Sequence, residues 1–136
     1  MCARDGELTE AVARSIAEVD PGLLLLALRD DHAARAEGHG VRLVTEAFVD
    51  LDYDPDGTLI IEAVKQARDP DQVAERAVRA ARERKVPTTG GTDLEVEPPT
   101  ICLHGDAPNA LDVVRTVKQR LPSEGIALKP LAELLP

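Results

Sequence analysis

The stretch "TICLHGDAPNA", residues 100–110, sets an imidazole and a carboxylate on either side of a glycine: His104, Gly105 and Asp106. A histidine takes and returns protons near neutral pH, and a carboxylate beside it holds the ring in one tautomer. Gly105 lets a ligand come close to the backbone. The apolar run before His104 reads as a strand, and the residues after it as a helix capped by Asp106. Free N–H groups at such a helix start hold a carboxylate or a phosphate. The plainer reading is that His104 and Asp106 merely organise a tight turn. Carboxylates and other polar groups also follow the remaining apolar runs: Asp30, Asp31 and His32 after residues 23–28, Asp50 after 41–49, and Lys129 in the last run. No histidine pair has zinc-site spacing, and neither GxSxG nor a P-loop occurs. Cys2 and Cys102 form no CxxC pattern, and Cys102, flanked by apolar residues, reads as an inert core thiol.

The elements that must position these groups follow from periodicity. "ELTEAVARSIAEVD" spaces Leu8, Val12, Ile16 and Val19 as one helical stripe, stopped by Asp20-Pro21-Gly22. "LLLLAL" (23–28) reads as a strand covered on both faces, "DDHAARAEGHG" as a short polar helix, and "VRLVTEAFV" (41–49) as a second strand. Asp69, Pro70 and Gln72 form a strong helix start, with Val73, Ala77, Val78 and Ala81 facing inward. "VPTTGGTDLEVEPP" reads as a loop and "TICLHG" (100–105) as the third strand. The next helix carries Val113, Val114, Val117 and Leu121 inward, and "IALKPL" supplies a fourth strand. Alternating strands and helices predict an α/β fold: a parallel sheet of about four strands, flanking helices and a β-hairpin insertion, in a single domain over residues 1–136. In such sheets ligands bind at the carboxyl ends of strands.

The hairpin falls in "EAFVDLDYDPDG" (46–57), which contains the chain's one Phe and one Tyr, Phe48 and Tyr53. Asp52, Asp54, Asp56 and Gly57 match the first half of a calcium loop. The twelfth position, where a bidentate Glu belongs, is Ala63, and Pro55 interrupts the loop. Asp54-Pro55-Asp56-Gly57 is instead a turn signature, with Pro presetting φ and Gly accepting positive φ. The turn is the better reading.

Composition bounds the function. A formal charge of −9, from 16 Lys and Arg against 25 Asp and Glu, argues against nucleic acid or an anionic membrane as partner. Two cysteines outside any pairing motif suit a reducing cytoplasm. "LLLLAL" is too short to span a bilayer, and "MCARDGELTE" does not read as a signal peptide.

Three stretches, "ELTEAVARSIAEVDPGLLLLAL", "TEAFVDLDYDPDGTL" and "TICLHGDAPNAL", resemble in order and spacing the LamB/YcsF family. The family pattern E-x-F-A-D-R-x-Y then D-G-T-L falls on Glu46, Phe48, Asp50 and Tyr53 then Asp56 to Leu59. Its T-I-C-V-H-G-D falls on Thr100 to Asp106. The resemblance implies a (β/α) barrel of the type shared with polysaccharide deacetylases. It also implies one component of an ATP-dependent 5-oxoprolinase, the A-type subunit, which with further subunits opens the 5-oxo-L-proline lactam to L-glutamate. On that reading His104 is a proton-transfer or substrate-orienting group, with Asp50 or Asp106 fixing its tautomer, and Tyr53, Phe48, Glu46 and Gly105 face the substrate. ATP is then used by the complex. The family's D-L-N-x-D-x-G-E, H-x-G-D and K-P-H-G-A-L-Y-N motifs are absent, Leu51 replaces an Arg, and Ile61-Glu62 stand where another Arg is expected. A complete barrel takes about 250 residues, so the chain is expected to cover its sheet edges by pairing with itself or with other subunits. The alternative is a degenerate, non-catalytic member that binds a partner subunit or a small carboxylic acid.

Overall fold

The computed structural model describes residues 5–28 and 31–135, so Cys2 and Asp30 lie outside the described residues. The chain divides into two compact units, residues 1–46 and 47–136.

In the first unit, α1 (Gly6–Val19) begins at Asp5, whose side chain accepts from the N–H groups of Glu7 and Leu8 at 3.0 and 3.3 Å. Its buried face is Thr9 and Ala13, with Ile16 and Ala17 partly buried; Leu8, Val12 and Val19 are exposed. The apolar arc of this helix is broad, and its periodicity admits two centres. Small side chains decide between them, because Ala13 packs with Ala36 of α2 (Ala33–Glu37) and with Val41. Strand β1 (Leu24–Ala27) runs parallel to β2 (Arg42–Phe48), from Leu24 opposite Arg42 to Ala27 opposite Thr45. β1 is only partly covered, with Leu26 exposed.

β2 crosses the boundary between the units. It is the middle strand of a three-stranded parallel sheet of order β1-β2-β7, where β7 is Thr100–Cys102.

In the second unit, β3 (Asp52–Tyr53) and β4 (Leu59–Ile60) make the expected hairpin. The Asp54 N–H donates to the Thr58 carbonyl at 2.8 Å, and the Asp56 carboxylate accepts from the Thr58 N–H and hydroxyl at 2.8 and 2.6 Å. Gly57 has φ +83°, so Gly57→Ala is expected to cost about 1–2 kcal/mol, read as a lower urea midpoint at unchanged m-value. Among the described residues no group of three or more His, Cys, Asp or Glu side chains is placed to hold a metal ion.

Helix α3 (Pro70–Arg82) starts as its sequence requires, with the Asp69 side chain accepting from the N–H groups of Asp71 and Gln72. Its inward face is Val73, Ala74, Ala77, Val78 and Ala80; Ala81 is exposed. The stretch expected to be a loop contains a second hairpin, β5 (Lys85–Pro87) with β6 (Asp93–Glu95). Three-residue strands in a Gly/Pro/Thr-rich stretch show too little period-two pattern to be read. Tyr53 supplies what the sequence hides: it bridges to Thr88, and its carbonyl accepts from the Thr89 N–H at 2.9 Å.

Helix α4 (Ala110–Ser123) buries Val113, Val117 and Leu121, leaving Val114 exposed. Its N-cap position is Asn109, not Asp106. No strand forms at "IALKPL"; residues 126–130 carry no regular structure and lead into α5 (Leu131–Leu134). Four residues ending at a proline, which brings no N–H to a ladder, make a weak strand.

Candidate active site

Strands β2 and β7 deliver two of the expected groups to one place. Two residues beyond β2, Asp50 is 7 % exposed. Two residues beyond β7, the His104 backbone N–H donates to Asp50 Oδ2 at 2.6 Å. The His104 ring places Nδ1 at 3.0 and 3.2 Å from the two carboxylate oxygens. A buried carboxylate that accepts from both the backbone and the ring of one histidine fixes its position. With Asp50 ionised, the neutral ring carries its proton on Nδ1, which leaves the Nε2 lone pair available. The side chain of His104 is 32 % exposed. Of the two carboxylates named for this role, Asp50 makes the contact; Asp106 is exposed.

The two aromatics complete the arrangement. The Phe48 ring stacks on the His104 ring with centroids 5.7 Å apart and planes inclined by 24°. Tyr53 is 2 % exposed, and its phenolic oxygen accepts from the Phe48 N–H at 2.9 Å. Phe48 therefore covers a face of the imidazole, while Tyr53 anchors the backbone that carries Phe48. Glu46, on β2, is half-buried and belongs to the first unit, as do Asp31 and His32; Gly105 is exposed.

Asp50 and His104 line a small recess with Glu62, Lys65, Arg68 and Asp106. Its volume of about 10 Å³ is of the size that one water molecule occupies. Tyr53 is not among its lining residues. Lys129 lines a separate, larger apolar groove of about 360 Å³ between α3, α4 and α5.

Sequence reasoning did not find Arg68, which lines this recess, or Arg76, which shares its partner Asp52. Arg68 Nη1 lies 2.9 Å from Asp52, and its Nη2 lies 3.3 Å from Glu62. Arg76 reaches the other oxygen of Asp52 at 2.9 Å and the Leu51 carbonyl at 3.1 Å. Asn109 clamps the Arg68 backbone in both directions: its Oδ1 accepts from the Arg68 N–H at 3.1 Å, and its Nδ2 donates to the Arg68 carbonyl at 2.7 Å. The side chain at the helix N-cap position thus serves a tertiary contact instead. The residues that should have drawn attention were an Arg directly before the Asp69-Pro70 helix start and an Asn at the next one.

Burial pushes the Asp52 carboxyl up, but hydrogen bonds and charge from Arg68 and Arg76 outweigh it and hold the group below its ordinary value. Asp52 in turn is the largest cause that raises Arg68. A carboxyl depressed on folding contributes stability above its unfolded value of about 3.9, and that contribution is lost as pH falls through the lower, folded value. Asp52→Asn is therefore expected to lower Tm at pH 7, with the gap to the wild type narrowing below about pH 4, measured by thermal melts across pH.

The sheet carries a carboxylate–histidine pair beyond its strand ends, and comparison with known proteins places the chain in a family. The LamB/YcsF family matches residues 1–136, and the chain belongs to that family. A protein from Natranaerobius thermophilus, named as the A-type subunit of 5-oxoprolinase, is 38 % identical over 96 % of this chain and 52 % of its own length. Another of that name from Geobacillus kaustophilus is 36 % identical over 95 % of this chain and 52 % of its own. The crystal structure of the lactam utilization protein from Thermus thermophilus superposes with a TM-score of 0.78 at 32 % identity, covering 92 % of this chain and 51 % of that one. The chain spans about half the length of the curated relatives it matches. Among the described residues no helix is long and apolar enough to cross a membrane.

Proposed function

We propose that this chain contributes a lactam-handling site of the kind named for its 5-oxoprolinase relatives, opening 5-oxo-L-proline to L-glutamate within a cytoplasmic multi-subunit complex. The observation that carries the reading is the Asp50–His104 pair under the Phe48 ring. Hydrolysis of a lactam needs a water activated beside the carbonyl and a proton for the departing nitrogen. His104 Nε2 takes a proton from the attacking water as its oxygen bonds to the lactam carbon. The carbon–nitrogen bond then breaks, and the same proton passes to the nitrogen. Asp50 holds the ring for both transfers and stabilises the imidazolium formed between them. Asp106, on the rim, accepts from the lactam N–H. ATP enters from the family resemblance, as a co-substrate of the complex, and the partners are the other oxoprolinase-type subunits.

A second reading, a non-catalytic member that binds a small carboxylic acid or a partner subunit, draws on one observation. The recess is small, and Arg68 is committed to Asp52 and Glu62. The deciding experiment purifies the chain with its native partners and measures glutamate release from 5-oxo-L-proline and ATP. Release that requires this chain supports the first reading; binding of 5-oxo-L-proline without turnover supports the second.

A further inference from the structure

We infer that Lys65 is the carboxylate-binding, specificity-determining residue of this site, an inference that rests on the lactam reading above. Of the other charges that line the recess, all but Asp106 are already answered. Asp50 accepts twice from His104, and Arg68 is shared between Asp52 and Glu62. Lys65 lines the same recess, is half-buried, and among the described residues makes neither an ion pair nor a hydrogen bond. An ammonium offers three donors and accepts nothing, so a half-buried one without a protein partner is best satisfied by an anion.

Its placement is also fixed. Residues 61–69 have no regular structure, yet the segment is tied on both sides of Lys65. Three residues before it, Glu62 is bound by Arg68 Nη2; three residues after it, the Arg68 backbone is clamped by Asn109. Lys65 therefore sits on a short bridge anchored at both ends. With the recess no larger than about 10 Å³, room for one water, a ligand lies across the rim. A lactam acid whose carbonyl faces His104 then presents its carboxylate at the rim, where Lys65 is the cation with charge to spare. Asp106, also on the rim and without an ion pair among the described residues, disfavours a second carboxylate there and suits an N–H donor. The site consequently selects lactams that bear one carboxylate over neutral lactams.

The test is a calorimetric titration of the folded chain, together with any subunits that co-purify, using 5-oxo-L-proline and 2-pyrrolidone. In the wild type 5-oxo-L-proline is expected to bind more tightly. Lys65→Gln is expected to weaken it by about 10–100-fold, the value of a charge-assisted hydrogen bond, down to the level of 2-pyrrolidone, and Lys65→Arg to restore part of the loss. Equal affinity of wild type and Lys65→Gln for 5-oxo-L-proline overturns the inference while leaving the lactam reading intact. Failure of the wild type to bind either compound overturns the lactam reading itself. An unchanged thermal melt of Lys65→Gln confirms that affinity, not folding, is being read.

Discussion

His104→Ala is expected to lower glutamate formation by about 10²–10⁴-fold, the contribution of a positioned general base, with little change in Tm. The small stability effect follows from the position of the ring, which is partly exposed and packed on Phe48 alone among the aromatics. Asp50→Asn makes the sharper variant. The amide keeps the volume of the buried carboxylate but presents one acceptor where Asp50 presents two, so the backbone N–H and Nδ1–H of His104 compete for it. Activity is expected to fall as far as in His104→Ala, because the ring loses both its orientation and its tautomer. The double variant should then fall no further than either single one, since the pair acts as a unit. A double variant showing the product of two independent losses would mean that Asp50 and His104 serve different steps.

The second large effect lies at Tyr53. Tyr53→Ala empties a fully buried aromatic position and is expected to cost about 3–5 kcal/mol, enough to threaten a domain of this size. Tyr53→Phe isolates the hydrogen bond. It leaves the ring in place and strands the Phe48 N–H, costing about 1–3 kcal/mol in urea denaturation. Activity measured where the variant is still folded should fall as well, because Phe48 can then shift off the imidazole it covers. The family resemblance had implied that Tyr53 touches substrate. A tyrosine in that role would instead raise KM on loss of its hydroxyl and leave stability unchanged, so the two measurements together separate the roles.

This pairing also explains why a chain nearly free of aromatics keeps both of them within six residues. One ring positions the histidine, and the other positions the first ring. Position along the sequence could reveal their closeness but not the direction of support, since burial decides it. Much of the frame was legible. The Asp69-Pro70 helix start, the Asp54 to Gly57 turn and the three strands of the parallel sheet follow from local chemistry that tertiary structure does not override. What escaped depended on distant partners. β5 and β6 are too short to show a period and are completed by Tyr53. The face of α1 was chosen by Ala13 meeting Ala36. Asp106 lost the cap of α4 to Asn109. Asp50 and His104 could each be placed at a strand end, but their union spans 54 positions and is set by strand order. Lys65 and Arg68 carried no motif. Their importance comes from which charges around them are already matched, a property visible only once the recess has closed.

The measurement that tests the account most directly is nitrogen NMR of the His104 ring, assigned by comparison with His104→Ala, with and without 5-oxo-L-proline. At a pH where the ring is neutral, the account predicts a proton on Nδ1, a bare Nε2, and a perturbation of Nε2 when 5-oxo-L-proline is added, all lost in Asp50→Asn. A ring protonated on Nε2, or one that does not respond to 5-oxo-L-proline, would contradict the assignment of His104 as the proton-transferring group of this site.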